Sequence, residues 1–291
     1  MPKNIYTAAD LSTEFMQLCK DGKKREGFTT GFPSMDEYMK LAPGYIAIVS
    51  GIPSMGKSEF VDAVVLNMAK QHNWKWCFFS PENFPVVEHM AKLAEKFIGK
   101  RMDYFTTNDR RNAVDWLQNH FFWLYPDDDR QLGLNCLLEL IRQVNEEHCI
   151  DGFVLDPWNE ITHDNRNLRD DQYLASALRD LRRFARHQNL HGMVVAHPNK
   201  TEKEANGAYK PPTLYDLNGG AMWYNKADYG WVVHRPDWNR HEIAVYVQKV
   251  KFKWMGQKGS VMFDYDPMSG RFKCKENPLF TLPEPPDAAP F

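Results

Sequence analysis

Eight residues, Gly51-Ile-Pro-Ser-Met-Gly-Lys-Ser58, constrain this chain more than any other stretch. They spell G-x-x-x-x-G-K-[ST], a pattern that carries chemistry when a strand leads into it and a helix leads out. Both flanks are present. Tyr45-Ile-Ala-Ile-Val49 is a short apolar run of the kind a buried strand makes, and Glu59 to Lys70 places Phe60, Val64, Leu66 and Met68 at helical spacing. In that setting the backbone N–H groups of Gly51, Ser54, Met55 and Gly56 are expected to wrap a nucleotide's phosphates at the helix N-terminus. Lys57 is expected to reach the β- and γ-phosphates, and the Ser58 hydroxyl to bind Mg²⁺. The prediction is an α/β protein that binds a nucleoside triphosphate with Mg²⁺.

The rest of the chain alternates in the same way. Strand-like runs at 76–80, 121–125, 152–156 and 192–197 are separated by helical patterns at 86–97, 134–147 and 173–187. Such alternation implies right-handed βαβ units and a mostly parallel central sheet with helices on both faces. From Tyr229 the pattern changes to strand runs joined by turns, at 229–234, 242–250, 260–265 and 271–275, which predicts a C-terminal antiparallel extension. Ala8 to Cys19 carries Leu11, Phe15, Met16 and Leu18 on one side, an amphipathic helix followed by the charged linker Lys20 to Gly27. Residues 1–27 therefore read as a linker helix that folds back or docks on a neighbouring subunit, and 28–275 as the nucleotide-binding domain. Residues 276–291, rich in proline and without periodicity, read as a mobile tail.

Composition narrows the partners. With 36 lysines and arginines against 38 acids the net charge is −2, so nucleic-acid affinity has to come from local clusters and not from an overall basic field. Five scattered cysteines without C-x-x-C spacing argue against a disulfide framework or a zinc site. The N-terminus lacks a charged-then-apolar leader and no apolar run approaches bilayer length, so the expectation is a cytoplasmic protein that engages no membrane.

Open parallel sheets bind ligands at the carboxyl ends of their strands. The second strand run ends in Ser80-Pro-Glu-Asn83, where Glu82 is placed to orient and deprotonate an attacking water. Gly152 to Asp156 presents Asp156 to the Mg²⁺ that Ser58 also touches. Val194-Val-Ala-His197 aims His197 and Asn199 toward the γ-phosphate. Together they compose a hydrolytic site. Asn199-Lys-Thr-Glu202 is one methylene away from a guanine-reading N-K-x-D, but Asp156 is followed by Pro-Trp-Asn and not by the x-x-Gly of a switch loop, and Glu82 would then have no role.

As an ordered set, these motifs resemble the RecA-like motor of DnaB-type ring helicases, closest to its Twinkle and phage helicase-primase branch. The set comprises Thr30-Gly-Phe-Pro-Ser-Met-Asp36 with Pro43-Gly44, the loop Gly51 to Ser58, Ser80-Pro-Glu-Asn83, the strand to Asp156, and Asp216-Leu-Asn-Gly-Gly220. The resemblance covers about residues 28–275 and implies a RecA-like NTPase fuelled by ATP or dTTP with Mg²⁺. It further implies a homo-oligomeric ring, a hexamer, that translocates on single-stranded DNA and separates strands during replication. By this resemblance Glu82 is the catalytic base, Lys57 and Ser58 the phosphate and Mg²⁺ contacts, and Asp156 the acidic Mg²⁺ partner. His197 is the sensor coupling phosphate state to the DNA loops. Arg235 and Tyr265 match positions that sandwich the base in the phage enzymes, an arrangement that guanidinium and phenol faces support. The family carries a lysine and, two residues later, an arginine that reach into the neighbouring subunit's site. Lys249 fits the first position. Lys251 holds the second, a point charge in place of a bidentate fork.

Two segments are expected to line the ring's channel: 158–171, with Arg166 and Arg169, and 200–225, with Lys200, Lys203, Lys210, Asn218, Gly219 and Gly220. Arg179, Arg182, Arg183 and Arg186 form a basic helix face read as solvated or at an interface. The tail ends in Phe291 near Glu284 and Asp287, similar to the acidic tails with which phage helicase-primases dock a polymerase; primase and polymerase are the partners expected at the termini, in a bacterial or phage-infected cell. The alternatives are a RecA-like recombinase or annealing ATPase that coats DNA without unwinding it, and a nucleotide switch acting through protein partners.

Overall fold

The computed structural model describes residues 6–21, 27–125, 132–162, 169–199, 201–203, 207 and 209–275. Among them, nine strands form one sheet: β1 (Ile46–Ser50), β2 (Trp76–Phe79), β3 (Phe121–Leu124), β4 (Gly152–Leu155), β5 (His191–Ala196), β6 (Tyr229–His234), β7 (Glu242–Val250), β8 (Gly259–Asp266) and β9 (Arg271–Cys274). Their order across the sheet is β3-β2-β4-β5-β1-β6-β7-β8-β9. The first six are parallel, and β7, β8 and β9 continue the sheet in antiparallel pairs.

All five residues of β1 are buried, as a central parallel strand with both faces covered requires. Two helices, α1 (Ser12–Asp21) and α2 (Pro33–Asp36), precede β1 in the chain. Ala47 and Val49 face a core with Phe60 and Val64 of α3 (Lys57–His72), Leu93 of α4 (Val86–Ile98) and Leu117 of α5 (Thr107–Leu117). Ile46 and Ile48 face the opposite core, with Leu137 and Ile141 of the helix Leu134–His148 and Leu178 and Leu181 of the helix Asp170–Gln188. Truncating one of these buried leucines or isoleucines to alanine costs about 2–5 kcal/mol.

The predicted α/β fold class is the observed one, with two differences. The run 229–234 does not begin the antiparallel extension: β6 lies parallel to β1, and the reversal starts at β7. Helix α5 was not expected, because its sequence is polar and only Ala113 and Leu117 are buried. The available signal was its capping box, in which Thr106 accepts from the Asp109 N–H while Asp109 accepts from the Thr106 N–H. The N-terminal amphipathic helix spans Ser12–Asp21, with Leu11, Phe15, Met16 and Leu18 exposed. No helix among the described residues is long and apolar enough to cross a membrane.

Candidate active site

The turn between β1 and α3 depends on glycine at two points. Gly51 has φ +152, and a Cβ there would stand 2.2 Å from the Val233 carbonyl oxygen, so a side chain would push the loop off its neighbouring strand. Gly56, at φ 87, precedes α3, and no side chain caps that helix. Its first N–H groups are therefore open to an anion. Lys57 is buried and its Nζ donates to the Ile52 carbonyl at 3.1 Å, so the ammonium already lies against the loop. Burial pulls Lys57 down to about 8, against the opposing influence of Asp156 and Glu82.

Asp156, immediately after β4, is buried, and burial pushes its carboxyl up to about 6. A hydrogen bond with Ser58 acts in the other direction, while Asp62 and Glu82 add to the rise. A serine hydroxyl beside a carboxylate is a pair of hard oxygen donors of the kind Mg²⁺ takes, so Ser58 and Asp156 fit that ion. Glu82, exposed beyond β2, brings its carboxylate to 3.9 Å from His197 Nε2 beyond β5. Burial, with Lys57 adding to it, pulls His197 down to about 4, so the imidazole is neutral near pH 7; its Nδ1 has no hydrogen-bonding partner among the described residues. The four strands that deliver these groups, β2, β4, β5 and β1, are consecutive neighbours in the sheet. Lys57, Ser58, Glu82, Asp156 and His197 thus come together at the strands' carboxyl ends, where open parallel sheets form their binding crevice.

Residues 27–274 match the DnaB-like helicase C terminal domain. The chain belongs to that family. It is 31% identical over 263 residues to the Twinkle homolog protein, chloroplastic/mitochondrial, of Arabidopsis thaliana, covering 84% of this chain and 36% of that protein. It is 25% identical over 228 residues to a probable plasmid replicative DNA helicase of Chlamydia psittaci, covering 75% and 49%. The chain thus spans between a third and a half of the length of these relatives. Two solved structures share the fold: an ATPase domain aligned over its whole length (TM-score 0.76, 16% identity, 94% of this chain) and a DnaB-like replicative helicase described with its primase interactions (TM-score 0.73, 17% identity, 93% of this chain and 67% of that one).

The other residues singled out in the sequence are placed as follows. The Arg235 N–H contacts Met55 Sδ of the phosphate loop at 3.0 Å. Burial pushes the Tyr265 phenol up to about 12, with Glu59 adding and Arg235 opposing, which puts the expected base-stacking pair within electrostatic reach of each other. Asn218 and Gly219 line a 480 Å³ cleft together with His197, Asn199, Trp158 and Asp171, so the two segments expected to face DNA meet beside His197. Gly220, at φ 34, leads into the short helix Ala221–Lys226. Arg169 is exposed and paired with Asp171 at 3.1 Å; Lys210 is paired with Glu202 at 3.0 Å; Lys203 lies over the Tyr209 ring. Arg166 and Lys200 lie outside the described residues, as does the tail 276–291.

Lys249 and Lys251 are far from their own phosphate loop. Lys249 pairs with Gly230 in the β6–β7 register, and the Lys251 N–H donates to the Asp228 carbonyl, level with Ile46 at the start of β1. Ser50, where the loop begins, is four residues on, about 13 Å along the strand. Lys249 Nζ donates to the Tyr224 carbonyl and Lys251 Nζ to Asp228 Oδ1 at 2.8 Å. Sequence reading missed Asp228. It is 1% exposed, takes Arg182 on the same oxygen at 3.0 Å, and accepts the Ile46 N–H on the other at 3.2 Å. Its one sequence signal is an acid directly before a strand of fully buried residues.

Proposed function

We propose that this DnaB-like domain is the motor of a ring-forming replicative helicase, which hydrolyses ATP or dTTP to move along single-stranded DNA. The observation that carries the reading is the convergence of Lys57, Ser58, Asp156, Glu82 and His197 on one crevice, with the Asn218–Gly219 cleft opening from His197. The phosphate-loop N–H groups and Lys57 hold the triphosphate. Ser58 and Asp156 would hold Mg²⁺, which when bound neutralises phosphate charge. Glu82 orients the attacking water and accepts its proton, as its exposure at the mouth of the crevice allows. His197, neutral and in contact range of Glu82, reports the phosphate state to residues 199–220. Arg235 and Tyr265 hold the base.

The placement of Lys249 and Lys251 at the far end of the sheet supports a ring in which they serve the nucleotide of an adjacent copy; the exposed apolar stripe beside Ser12–Asp21 offers a second contact between copies, and a hexamer is the assembly the family resemblance favours. Primase and polymerase remain the partners proposed for the termini. A forked-duplex assay tests the reading. ATP- or dTTP-dependent strand separation that vanishes in Glu82→Gln is expected; hydrolysis stimulated by single strands without any unwinding would favour the recombinase or annealing class instead.

A further inference from the structure

Two acids on α3 face three bases on α4. Glu59, the residue after Ser58, forms a close ion pair with Lys96 and lies 3.3 Å from Lys92. Asp62 takes His89 Nε2 at 3.0 Å, and His89 Nδ1 lies 3.1 Å from Trp123 Nε1. An indole N–H only donates, so His89 Nδ1 accepts, and the ring proton sits on Nε2 and goes to Asp62. His89, Lys92 and Lys96 recur at three and four residues, one stripe of the helix. Polar pairs of this kind add little net stability over apolar packing.

Lys92 has a second partner outside that seam. Its Nζ donates to Asn83 Oδ1 at 2.9 Å; Asn83 Nδ2 donates to Ser80 Oγ at 2.7 Å, and the Asn83 N–H to the Ser80 carbonyl at 3.0 Å. Ser80 and Asn83 bracket Glu82. The contacts therefore run without a gap from Glu59, at the start of the phosphate-loop helix, through Lys92 and Asn83 to the turn that carries the candidate general base. We propose that Lys92 is a positioning residue, which ties the Ser80–Asn83 turn to Glu59 and thereby fixes Glu82 relative to the phosphate loop. This rests on the reading of Glu82 as the base. The Lys92 side chain is 41% exposed, so its truncation removes the two links without opening the core.

Steady-state and single-turnover hydrolysis test the assignment. Lys92→Met is expected to lower kcat about 10- to 100-fold, the size of loss that a small misplacement of a reacting group produces, with nucleotide Kd within twofold of the parent. Lys92→Arg should retain most of the rate, because a guanidinium bridges the same two acceptors. Asn83→Ala cuts the link to the turn while leaving the α3–α4 pairs in place, and should reproduce the kcat loss. Added to Glu82→Gln, Lys92→Met should cost nothing further in single-turnover rate, since the group being positioned is already gone. A kcat within twofold of the parent in Lys92→Met, a silent Asn83→Ala, or a full multiplicative loss on top of Glu82→Gln would each overturn the positioning role. A Glu82→Gln protein that hydrolyses at the parental rate would overturn the base assignment, and the positioning role with it.

Discussion

At the end of the sheet where β1 finishes, Lys57 sits among carboxylates: it feels Asp156 and Glu82, and Asp62 is close enough to raise Asp156. At the end where β1 begins the composition is inverted. There one carboxylate, Asp228, holds Arg182 and Lys251, and Lys249 feels all three. A triphosphate with its metal needs carboxylates for the ion and cations for the phosphates, and the first end supplies mostly the former. The second end has cations to spare and no loop to use them on. The two ends are therefore opposite in charge, which supports the proposal that the nucleotide of one copy is served by the base-rich end of the next.

Breaking the acid-rich end should give the largest losses, and of two kinds. Lys57→Ala removes the cation that meets phosphate and should abolish nucleotide binding at concentrations that saturate the parent. Glu82→Gln should bind normally and lower hydrolysis about 10²–10⁴-fold, the usual contribution of a general base. Titrations with a fluorescent nucleotide separate the two; equal loss of binding in both variants would remove Glu82 from its role.

Each end also buries a histidine, and both rings tie stability to pH. Burial pulls both His234, at the nucleotide end of β6, and His191, at the opposite end of β5, down to about 4. An unfolded histidine titrates near 6.5, so between pH 6.5 and 4 the unfolded chain binds more protons, and stability falls as pH drops through that window. The loss is about 2 kcal/mol per histidine between pH 7 and pH 5. His191→Gln and His234→Gln should each flatten the acid limb of the denaturant-unfolding profile by that amount; slopes identical to the parent's would show that neither ring is held neutral.

How much of this was legible in the sequence follows the same division. The acid-rich end is built from short local patterns: a glycine loop between strand and helix, and polar residues directly after apolar runs, as at Glu82, Asp156 and His197. Each could be placed because strand periodicity says where a strand stops. The base-rich end is assembled from a helix, a strand end and a preceding turn, with Arg182, Lys251 and Asp228 brought together by the β6–β7 pairing. No local pattern encodes that meeting, nor does any show that β6 joins β1 in parallel. The α3–α4 seam falls between: Glu59 and Asp62, and His89, Lys92 and Lys96, have helical spacing in the sequence, but which helix faces which does not.

The interface claim is broken most directly by Lys251. Lys251→Ala should lower hydrolysis about tenfold or more; a guanidinium acting across an interface contributes far more, 10³–10⁵ in related chemistry, and a lysine lacks its bidentate geometry. Lys251→Arg should equal or exceed the parent. Mixing Lys251→Ala chains with Glu82→Gln chains should restore part of the rate, because some boundaries then join an intact lysine to an intact site. Mixed rings that form and restore nothing, or dilute monomer hydrolysing at the full rate, would place both functions in one chain.

Salt dependence of DNA binding distinguishes which end meets DNA. The segments proposed to face DNA hang from the acid-rich end: Asn199 follows β5, and Asn218 and Gly219 share the cleft with His197. Lys210 is exposed and its pair with Glu202 is a surface pair, worth little and easily exchanged for a phosphate. Each phosphate contact on single-stranded DNA contributes about 0.7 to the slope of log affinity against log salt. Lys200→Ala with Lys210→Ala should therefore reduce that slope by up to about 1.4 per subunit and weaken binding several-fold at moderate salt. The matched control lies on the other end, where Arg179 and Arg183 are exposed on the basic helix face. Arg179→Ala with Arg183→Ala removes the same charge from the chain, so an overall electrostatic attraction would respond to both pairs alike. A slope that drops for the lysine pair and holds for the arginine pair assigns DNA to the nucleotide end; the reverse result would move the DNA path to the basic face and leave the 199–220 segments without their proposed role.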